Sequence, residues 1–520
     1  MEASKSLKQV KRRQMILSGN LWKTIFIIIA PLALYQLFNS VYSLIDAAIC
    51  AQISTDAQTN VVAINQIKST ISSFGGGLAA GGCVLVARYY GAGDVRRARY
   101  ASSNMFFMSL VLSGILCLIL IPLAYPLLVL CAVPGAGNSD VLMYFILQLI
   151  ELVFVSLNSV FIGLEKAKGN SKIIMYLNLM VLFIKVGLTC LFVFGLGDSF
   201  RNIIFVEVAT IIAQGTLTAI ALFILFGKNN ILRLSLKMIL PKKEFVVPIL
   251  KLSIPIFLGK FVMSLGKVVV NAICGYYWNA VTDGLIVGTL GVSNNMCGLI
   301  TSPTNSFEEG ESTIVSQNLG NGNMRRAIKA FIVTLISVSA VSVIGYILMR
   351  FVFINQFVEL FTSSDTKSEA YKQMVKEIFV WDSLSIISLG VAAGVLGLLY
   401  GFGQTKLSTI LNLSRIGSRI IFLLVVHAIN PDMSPTLCAG LSMGISNTII
   451  LLVSLAFLLF FLLKIKKHGY LGMHMDDPEP AVSDLVFDDV DEQKKKNDDI
   501  IEEVKVDEED KVDDEEYKIE

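Results

Sequence analysis

The chain has 520 residues, of which 54% are apolar and only 16% are charged, and its mean hydropathy is +0.67. This composition excludes a single water-soluble globule and is typical of a protein whose solvent is the lipid bilayer. The formal net charge of +2 hides a basic body and an acidic end, because roughly half of the acidic residues lie in the last ~45 positions.

Apolar stretches near or above the ~20 residues that cross a ~30 Å hydrocarbon core recur from Leu21 to Leu463. They predict twelve transmembrane helices, the first of which lacks the short apolar core and cleavage pattern of a signal peptide. The predicted spans are 21–50, 60–87, 101–131, 140–163, 173–198, 202–227, 248–276, 284–316, 327–353, 374–400, 407–429 and 434–463.

Positive charge is concentrated in the N-terminal segment and in every second loop, as in Arg96–Arg97, Lys166 and Arg325–Arg326. Because Lys and Arg remain on the cytoplasmic side, both termini are predicted to be cytoplasmic in a multi-pass plasma-membrane protein. The predicted organisation is a cytoplasmic segment (1–20), an N-terminal six-helix bundle (21–227), a cytoplasmic linker (228–247), a C-terminal six-helix bundle (248–463) and an acidic, disordered cytoplasmic tail (464–520).

The two halves repeat the same short motifs in the same order, which unrelated segments would not do. The matched motifs are Ile29-Ala30-Pro31 with Ser253-Ile254-Pro255, Gly91-Ala92-Gly93-Asp94 with Gly320-Asn321-Gly322-Asn323, and Gly169-Asn170-Ser171-Lys172 with Gly403-Gln404-Thr405-Lys406. Six helices in each half give a parallel repeat about an axis along the membrane normal, with a substrate cavity expected between two bundles that rock against each other. The predicted fold class is therefore all-α, with two bundles related by pseudo-two-fold symmetry.

These motifs also resemble a known family, the multidrug and toxic compound extrusion (MATE) transporters of the multidrug, oligosaccharidyl-lipid and polysaccharide exporter superfamily. The resemblance rests on Ala30-Pro31 followed by Asp46, on Gly91-Ala92-Gly93-Asp94 and Gly403-Gln404-Thr405-Lys406, and on Ala209-Thr210 with Gln214. It spans the chain from Leu21 to Leu463. It implies twelve helices in two bundles and extrusion driven by the inward flow of protons or sodium ions.

Since the sequence contains no G-x-x-x-x-G-K-[ST] loop for ATP phosphates, an ion gradient is the expected energy source. Ionisable residues inside the helices are then the candidates for coupling, because a charge in the bilayer is costly unless it faces a cavity or a partner. Asp46 leads them, since its spacing from Pro31 matches the helix 1 aspartate of the family. A structural ion pair, or a position at the outer water interface, is the alternative for Asp46.

Other polar residues are expected to line the pathway or, equally, to pack between helices. They are Tyr35, Gln36 and Asn39 in the first span, Asn178 in the fifth, Lys185 and Glu207 in the N-terminal half, and Asp382 in the tenth span.

The second half departs from the family at positions that bind sodium ions. At the distance from Pro255 where sodium-coupled members carry a glutamate, this chain has Met263. Asp382 lies farther from the Gly403 turn than the family's aspartate, and Leu389 matches its spacing better. In the N-terminal half, Thr189 stands where some members have a second carboxylate. The sequence therefore favours proton coupling through the N-terminal bundle.

Cations are unusually frequent in the predicted membrane interior, and interhelical ion pairs with nearby acids are the default interpretation. The cations are Lys68, Lys185, Lys260, Lys267, Arg415 and Arg419. Lys185 and Arg419 are equivalent under the repeat.

Two functions remain open on the sequence. The first is an antiporter that exports small, often cationic, organic amphiphiles. The alternative is a flippase or exporter of a lipid-linked saccharide or another anionic substrate, for which a cleft lined with Lys and Arg would hold a phosphate. An enzyme is not expected, because the three histidines are scattered. A monomer in the bilayer is expected, with no cofactor, metal site or nucleic-acid partner.

Overall fold

A computed structural model describes residues 2–53, 55–131, 133, 135–197, 200–238, 240–278, 280–282, 285–362 and 369–468. It does not describe the side chains of residues 2–8, 41–48, 51–52, 55–59, 62, 236, 360–362 and 466–468. From residue 469 onwards, the predicted acidic tail lies outside the described residues.

The described chain is helical throughout, with turns between the helices. The helices of the first half are α1 (Glu2–Ser18), α2 (Leu21–Ile53), α3 (Thr55–Ala92), α4 (Val95–Leu120), α5 (Ala124–Leu130), α6 (Ser139–Ala167), α7 (Ser171–Cys190) and α8 (Ile203–Phe226). Those of the second half are α9 (Lys243–Trp278), α10 (Ile286–Gly320), α11 (Met324–Ile347), α12 (Ile354–Thr362), α13 (Glu369–Asp382), α14 (Leu384–Gly401), α15 (Lys406–Ile429) and α16 (Pro435–His468).

Eleven segments of the described chain are long and apolar enough to cross a membrane, with α13 and α14 counted together as one. The twelfth membrane helix is α10, which is 35 residues long but carries Glu308, Glu309 and Glu311. It packs against α2, α3, α11, α13 and α14. Because neighbouring helices surround it, α10 can hold polar side chains that a lipid-facing helix could not.

The sequence repeat is visible in the backbone. Gly93 and Gly322 both adopt positive φ, at 86° and 72°, in the turns that end α3 and α10. The next residues, Asp94 and Asn323, each accept a backbone N–H bond from the third residue of the following helix, at 2.8 and 3.1 Å. These are N-cap bonds, and the two turns are built alike. The order of α2–α8 thus recurs in α9–α16, with α13 and α14 in place of α6.

Two predicted spans are interrupted, and for both the prediction of a continuous helix is wrong. The span 101–131 breaks between α4 and α5 at Pro122, whose ring cannot continue the helical hydrogen bonding. The span 374–400 begins earlier, at Glu369, and is broken between Asp382 and Leu384. The Ser383 hydroxyl donates to the Val380 carbonyl at 3.0 Å and so competes with the backbone ladder at that break.

Exposed apolar side chains cover the outside of the helices, as at Leu118, Phe223 and Tyr276, which are 75%, 83% and 85% exposed. Such a surface would be a liability in water but suits contact with lipid.

Candidate functional site

The two bundles touch where α3 crosses α9. Methyl groups built on Gly77 and Gly81 would lie 2.8 Å from the Phe257 Cα atom and 2.7 Å from the Ser253 Cα atom, inside van der Waals contact. The Ser253 hydroxyl donates to the Leu78 carbonyl at 3.3 Å. Glycine at these positions lets the two backbones approach closely.

Further inter-bundle contacts lie toward the end of the helices that carries the Gly91 and Gly320 turns, here named the turn end. Lys166 and Glu309 form an ion pair at 2.8 Å. The Gln317 side chain donates to the Ala167 carbonyl at 2.6 Å, and Arg88 donates to the Gly401 carbonyl at 3.0 Å. Helix α1 adds to this closure, because Arg13 donates to the Gly91 carbonyl and Arg326 donates to the Ile16 carbonyl, both at 3.0 Å.

The face of α9 that makes these contacts opens into a cleft farther along the helix. Ser253, Lys260 and Lys267 are spaced by seven residues and so share one face. Ser253 is buried at the crossing, Lys260 is partly exposed and Lys267 is exposed. The lipid-facing side of α9 is marked by Ile254, Leu258, Leu265 and Val269, which lie roughly opposite Lys267. Lys267 therefore projects between the bundles rather than into lipid.

A charged cluster lies inside the N-terminal bundle, contributed by α3, α6, α7 and α8. Lys68 pairs with Glu151 and lies 3.8 Å from Glu207. The side chains of Glu151 and Glu207 are within hydrogen-bonding reach of each other, and Lys185 lies in the electrostatic range of Glu207. Both glutamates are 2% exposed. Among the described side chains, this N-terminal cluster brings two lysines together with two buried carboxyl groups.

A second cluster lies inside the C-terminal bundle, around the break between α13 and α14. Asp382 accepts from the Ser293 hydroxyl at 3.1 Å and from the Asn447 side-chain amide at 3.5 Å. The Asn447 side-chain oxygen accepts from both Arg415 and Arg419, each at 3.2 Å. Asn447 thus stands between the carboxylate and the guanidinium groups. Asp382, Arg415 and Arg419 are 1%, 7% and 2% exposed.

The residues predicted from sequence fall in separate places. Glu207 and Lys185 meet in the N-terminal cluster, and Asp382 lies in the C-terminal one. The Tyr35 hydroxyl is in reach of Asn39 and near the Lys166–Glu309 pair.

The remaining predicted residues do not belong to either charged cluster among the described contacts. The Asn178 amide donates to its own helix, at the Ile174 carbonyl 2.8 Å away, and Gln36 is half-buried. The side chain of Asp46 lies outside the described residues, although its backbone belongs to α2, so its role stays a prediction.

From the sequence, Lys68 and Glu151 were predicted only to take part in interhelical ion pairs, and Asn447 was not predicted to belong to a site. The repeat itself held a usable signal. The separation that carries Gly91 onto Gly320 also carries Lys68 onto Cys297, whose sulfur donates to Asp382 at 3.7 Å. The slightly larger separation that carries Gly169 onto Gly403 carries Lys185 onto Arg419. The two clusters therefore occupy equivalent positions in the two bundles.

Two six-helix bundles that contact each other toward the turn end and bury a charged cluster each define a polytopic membrane protein with the architecture of a transporter. The MatE family model matches residues 31–191 and 255–425, beginning at Pro31 and again at Pro255. The chain belongs to this family. The double match confirms the repeat predicted from the motifs.

The relatives and solved structures agree with that assignment. The chain is 22% identical over 399 residues to the multidrug export protein MepA of Staphylococcus haemolyticus (strain JCSC1435), covering 76% of this chain and 84% of that protein. It is 21% identical over 410 residues to MepA of Staphylococcus aureus (strain NCTC 8325 / PS 47), covering 77% and 86%.

Two solved structures, each at 17% identity and a TM-score of 0.79, cover 87% of this chain and 98% of theirs. One is a MOP superfamily transporter from Pyrococcus furiosus whose binding pocket is described as having reverse polarity. The other is an outward-facing multidrug resistance MATE transporter. The likeness confirms the predicted fold class.

Proposed function

We propose that the protein is a secondary-active antiporter that exports small organic molecules in exchange for protons, by alternating access between its two bundles. The relatives named as multidrug export proteins support the cargo class, and cationic amphiphiles are the first candidates. The absence of an ATP-binding loop from the sequence favours an ion gradient as the energy source.

Alternating access is supported by the asymmetry of the contacts between bundles. Gly77 and Gly81 hold α3 against α9 in the half of α3 that leads to the turn end, whereas Lys267 is exposed in the cleft beyond the crossing. The loops at the turn end are those rich in Lys and Arg, which favours a cytoplasmic position for them. In this proposal the turn end is the cytoplasmic side, and the contacts of α3 with α9 close the pathway on that side.

Proton coupling rests on one observation above the others, the contact between Glu151 and Glu207 beside Lys68. Two carboxyl groups can hydrogen-bond to each other only when one of them carries a proton. Two ionised carboxylates within hydrogen-bonding reach of each other would repel strongly in a buried site. The pair is therefore suited to take up one proton when the cleft is open to the outside and to release it after the bundles rock.

Asp46 is the second element of this proposal. It belongs to α2, and its spacing from Pro31 matches the family aspartate. We assign to Asp46 the exchange of a proton between the cleft and the buried glutamates.

Transport by purified protein in liposomes tests the proposal, with ethidium as the cationic probe. An imposed pH gradient should drive ethidium movement, a sodium gradient alone should not, and a protonophore should abolish it. Glu207→Gln keeps the size of the side chain but removes the titrating group, so it should insert normally and lose gradient-driven transport. Glu369→Gln, an exchange at an exposed carboxylate, is the matched control and should transport normally. Strict sodium dependence, or unchanged transport by Glu207→Gln, would overturn proton coupling at this pair.

A flippase or exporter of an anionic substrate is the second candidate, and the C-terminal cluster favours it. That cluster holds more positive than negative charge.

A further inference from the structure

The C-terminal cluster is rich in positive charge. In the N-terminal cluster, Lys68 and Lys185 lie beside Glu151 and Glu207 among the side chains that the structure describes. In the C-terminal cluster, Lys267, Arg415 and Arg419 lie within electrostatic range of one another and of Asp382. Within the part of the chain that the structure describes, Asp382 is the carboxylate that faces all three cations. The C-terminal cluster therefore has an excess of two positive charges.

This excess is not relieved by direct ion pairing among the described residues. The nearest acceptors of Arg415 are the Asn447 oxygen and the Met263 sulfur, the latter at 4.0 Å, while Arg419 donates to the Ser446 hydroxyl at 3.1 Å and to Asn447. Neutral acceptors orient a guanidinium group but leave its charge uncompensated. The repulsion between buried like charges is unfavourable unless an opposite charge offsets it.

The cluster is also reachable. Arg415 contacts Met263, which lies one turn before Lys267 on α9, and Lys267 is exposed on the face opposite the lipid-facing side. A molecule in the cleft between the bundles would meet the Lys267 ammonium group first and the Arg415 guanidinium behind it. The exposed lysine and the buried arginines thus form a path of positive charge leading from the cleft into the bundle.

We propose that Lys267, Arg415 and Arg419 form a binding site for an organic dianion, such as a dicarboxylate or a phosphate monoester, entered from the cleft. Two negative charges match the excess of two positive charges. Guanidinium groups present paired N–H donors that fit carboxylate or phosphate oxygens, and the Lys267 ammonium adds a third contact. The inference rests on the proposed transport function only in treating the bound dianion as cargo.

Equilibrium binding tests the site without any gradient, so its outcome is independent of proton coupling. Purified full-length protein is titrated with succinate, inorganic phosphate, acetate or tetraethylammonium, and binding is followed by calorimetry. Succinate or phosphate should bind more tightly than acetate, and tetraethylammonium should not compete with them. Better binding of succinate than of phosphate assigns the site to dicarboxylates, and the reverse assigns it to phosphate esters.

Two variants on one face of α9 sharpen the test. Lys267→Met should weaken dianion binding by about 10- to 100-fold, the usual effect of losing a hydrogen bond between charged groups. The exposed position of Lys267 makes this change compatible with folding. Lys260→Met is the matched control, because Lys260 lies near Glu308 and Glu309 instead of Asp382, and it should bind as the wild type does.

Arg415→Gln, a substitution inside the bundle, should also weaken dianion binding. Equal affinity for acetate and the dianions, no dianion binding, or equal losses in Lys267→Met and Lys260→Met would each overturn the site. In liposomes, uptake of radiolabelled dianion that Lys267→Met abolishes would identify the dianion as cargo. Binding without such uptake would refute the cargo role.

Discussion

Because α3 and α9 are in close backbone contact, adding a single methyl group at this contact should change the conformation of the protein. A methyl group built on Gly81 would lie 2.6 Å from the Ser253 nitrogen and 2.7 Å from its Cα atom, and one on Gly77 would lie 2.8 Å from the Phe257 backbone. These atoms belong to the backbone, so they cannot rotate away as the end of a flexible side chain could. Gly81→Ala must instead push the two helices apart at this crossing.

The magnitude follows from the cost of overpacking, which is about 1–3 kcal/mol for an added methyl group in a tight contact. The strain exists only in the state where α3 and α9 touch at this level. A difference of that size shifts an equilibrium between two states by about 5- to 150-fold. Gly81→Ala and Gly77→Ala should therefore favour the state that is open at the turn end.

Distance measurements between nitroxide labels check this expectation. Labels at Lys172 and Arg325, which are exposed at the turn end on opposite bundles, should report a longer mean distance in both alanine variants than in the parent. Exposed Cys131 is removed from the background beforehand. Gly76→Ala is the control on the same helix, since its added methyl group would meet nothing within 4 Å. An unchanged distance in Gly77→Ala and Gly81→Ala, or an equal change in Gly76→Ala, would refute the role of this contact.

Three further predictions concern other parts of the chain. Asp46→Asn should express normally and lose proton-driven transport, whereas a fall in expression would show that Asp46 instead pairs a buried lysine, at a cost of ~3–5 kcal/mol when that pair is broken. Cysteines at Ser6 and Ser483 should react with impermeant reagents only from the cytoplasm, and labelling of intact cells would contradict the predicted topology. Lys168→Met should lower the free energy of unfolding by about 3–5 kcal/mol, measured by thermal unfolding. The reason is that the Glu165 side chain, only 1% exposed, loses its ion-pair partner at 2.6 Å. A loss below about 1 kcal/mol would show that the pair is dispensable.

The sequence predicted the helices and the repeat because both depend on local patterns. Apolar length defined the spans, and the matched order of the Gly91 and Gly320 motifs identified two equivalent turns, which the structure shows with the same caps. The break at Asp382 was missed, because the apolar stretch continues through it and hydropathy does not register a single interrupted turn.

The clusters were harder to predict, because they depend on how helices rotate against one another. Lys68, Glu151 and Glu207 come from three helices far apart in sequence, so their meeting could not be read from spacing. The orientation of Lys267 was more accessible, since the exposed apolar residues Leu258 and Leu265 mark the opposite side of the same helix. The side-chain environment of Asp46 lies outside the described residues, and its coupling role remains a prediction.

The most direct test of the proton-exchange mechanism is whether substrate binding releases protons from the N-terminal cluster. Purified protein in weakly buffered detergent solution, mixed with ethidium in the presence of a pH-sensitive dye, should release protons as ethidium binds. The double variant Glu151→Gln/Glu207→Gln should bind ethidium and release none. Ethidium binding without proton release by the wild type, or the same release from the double variant, would contradict the exchange of protons for substrate at this pair.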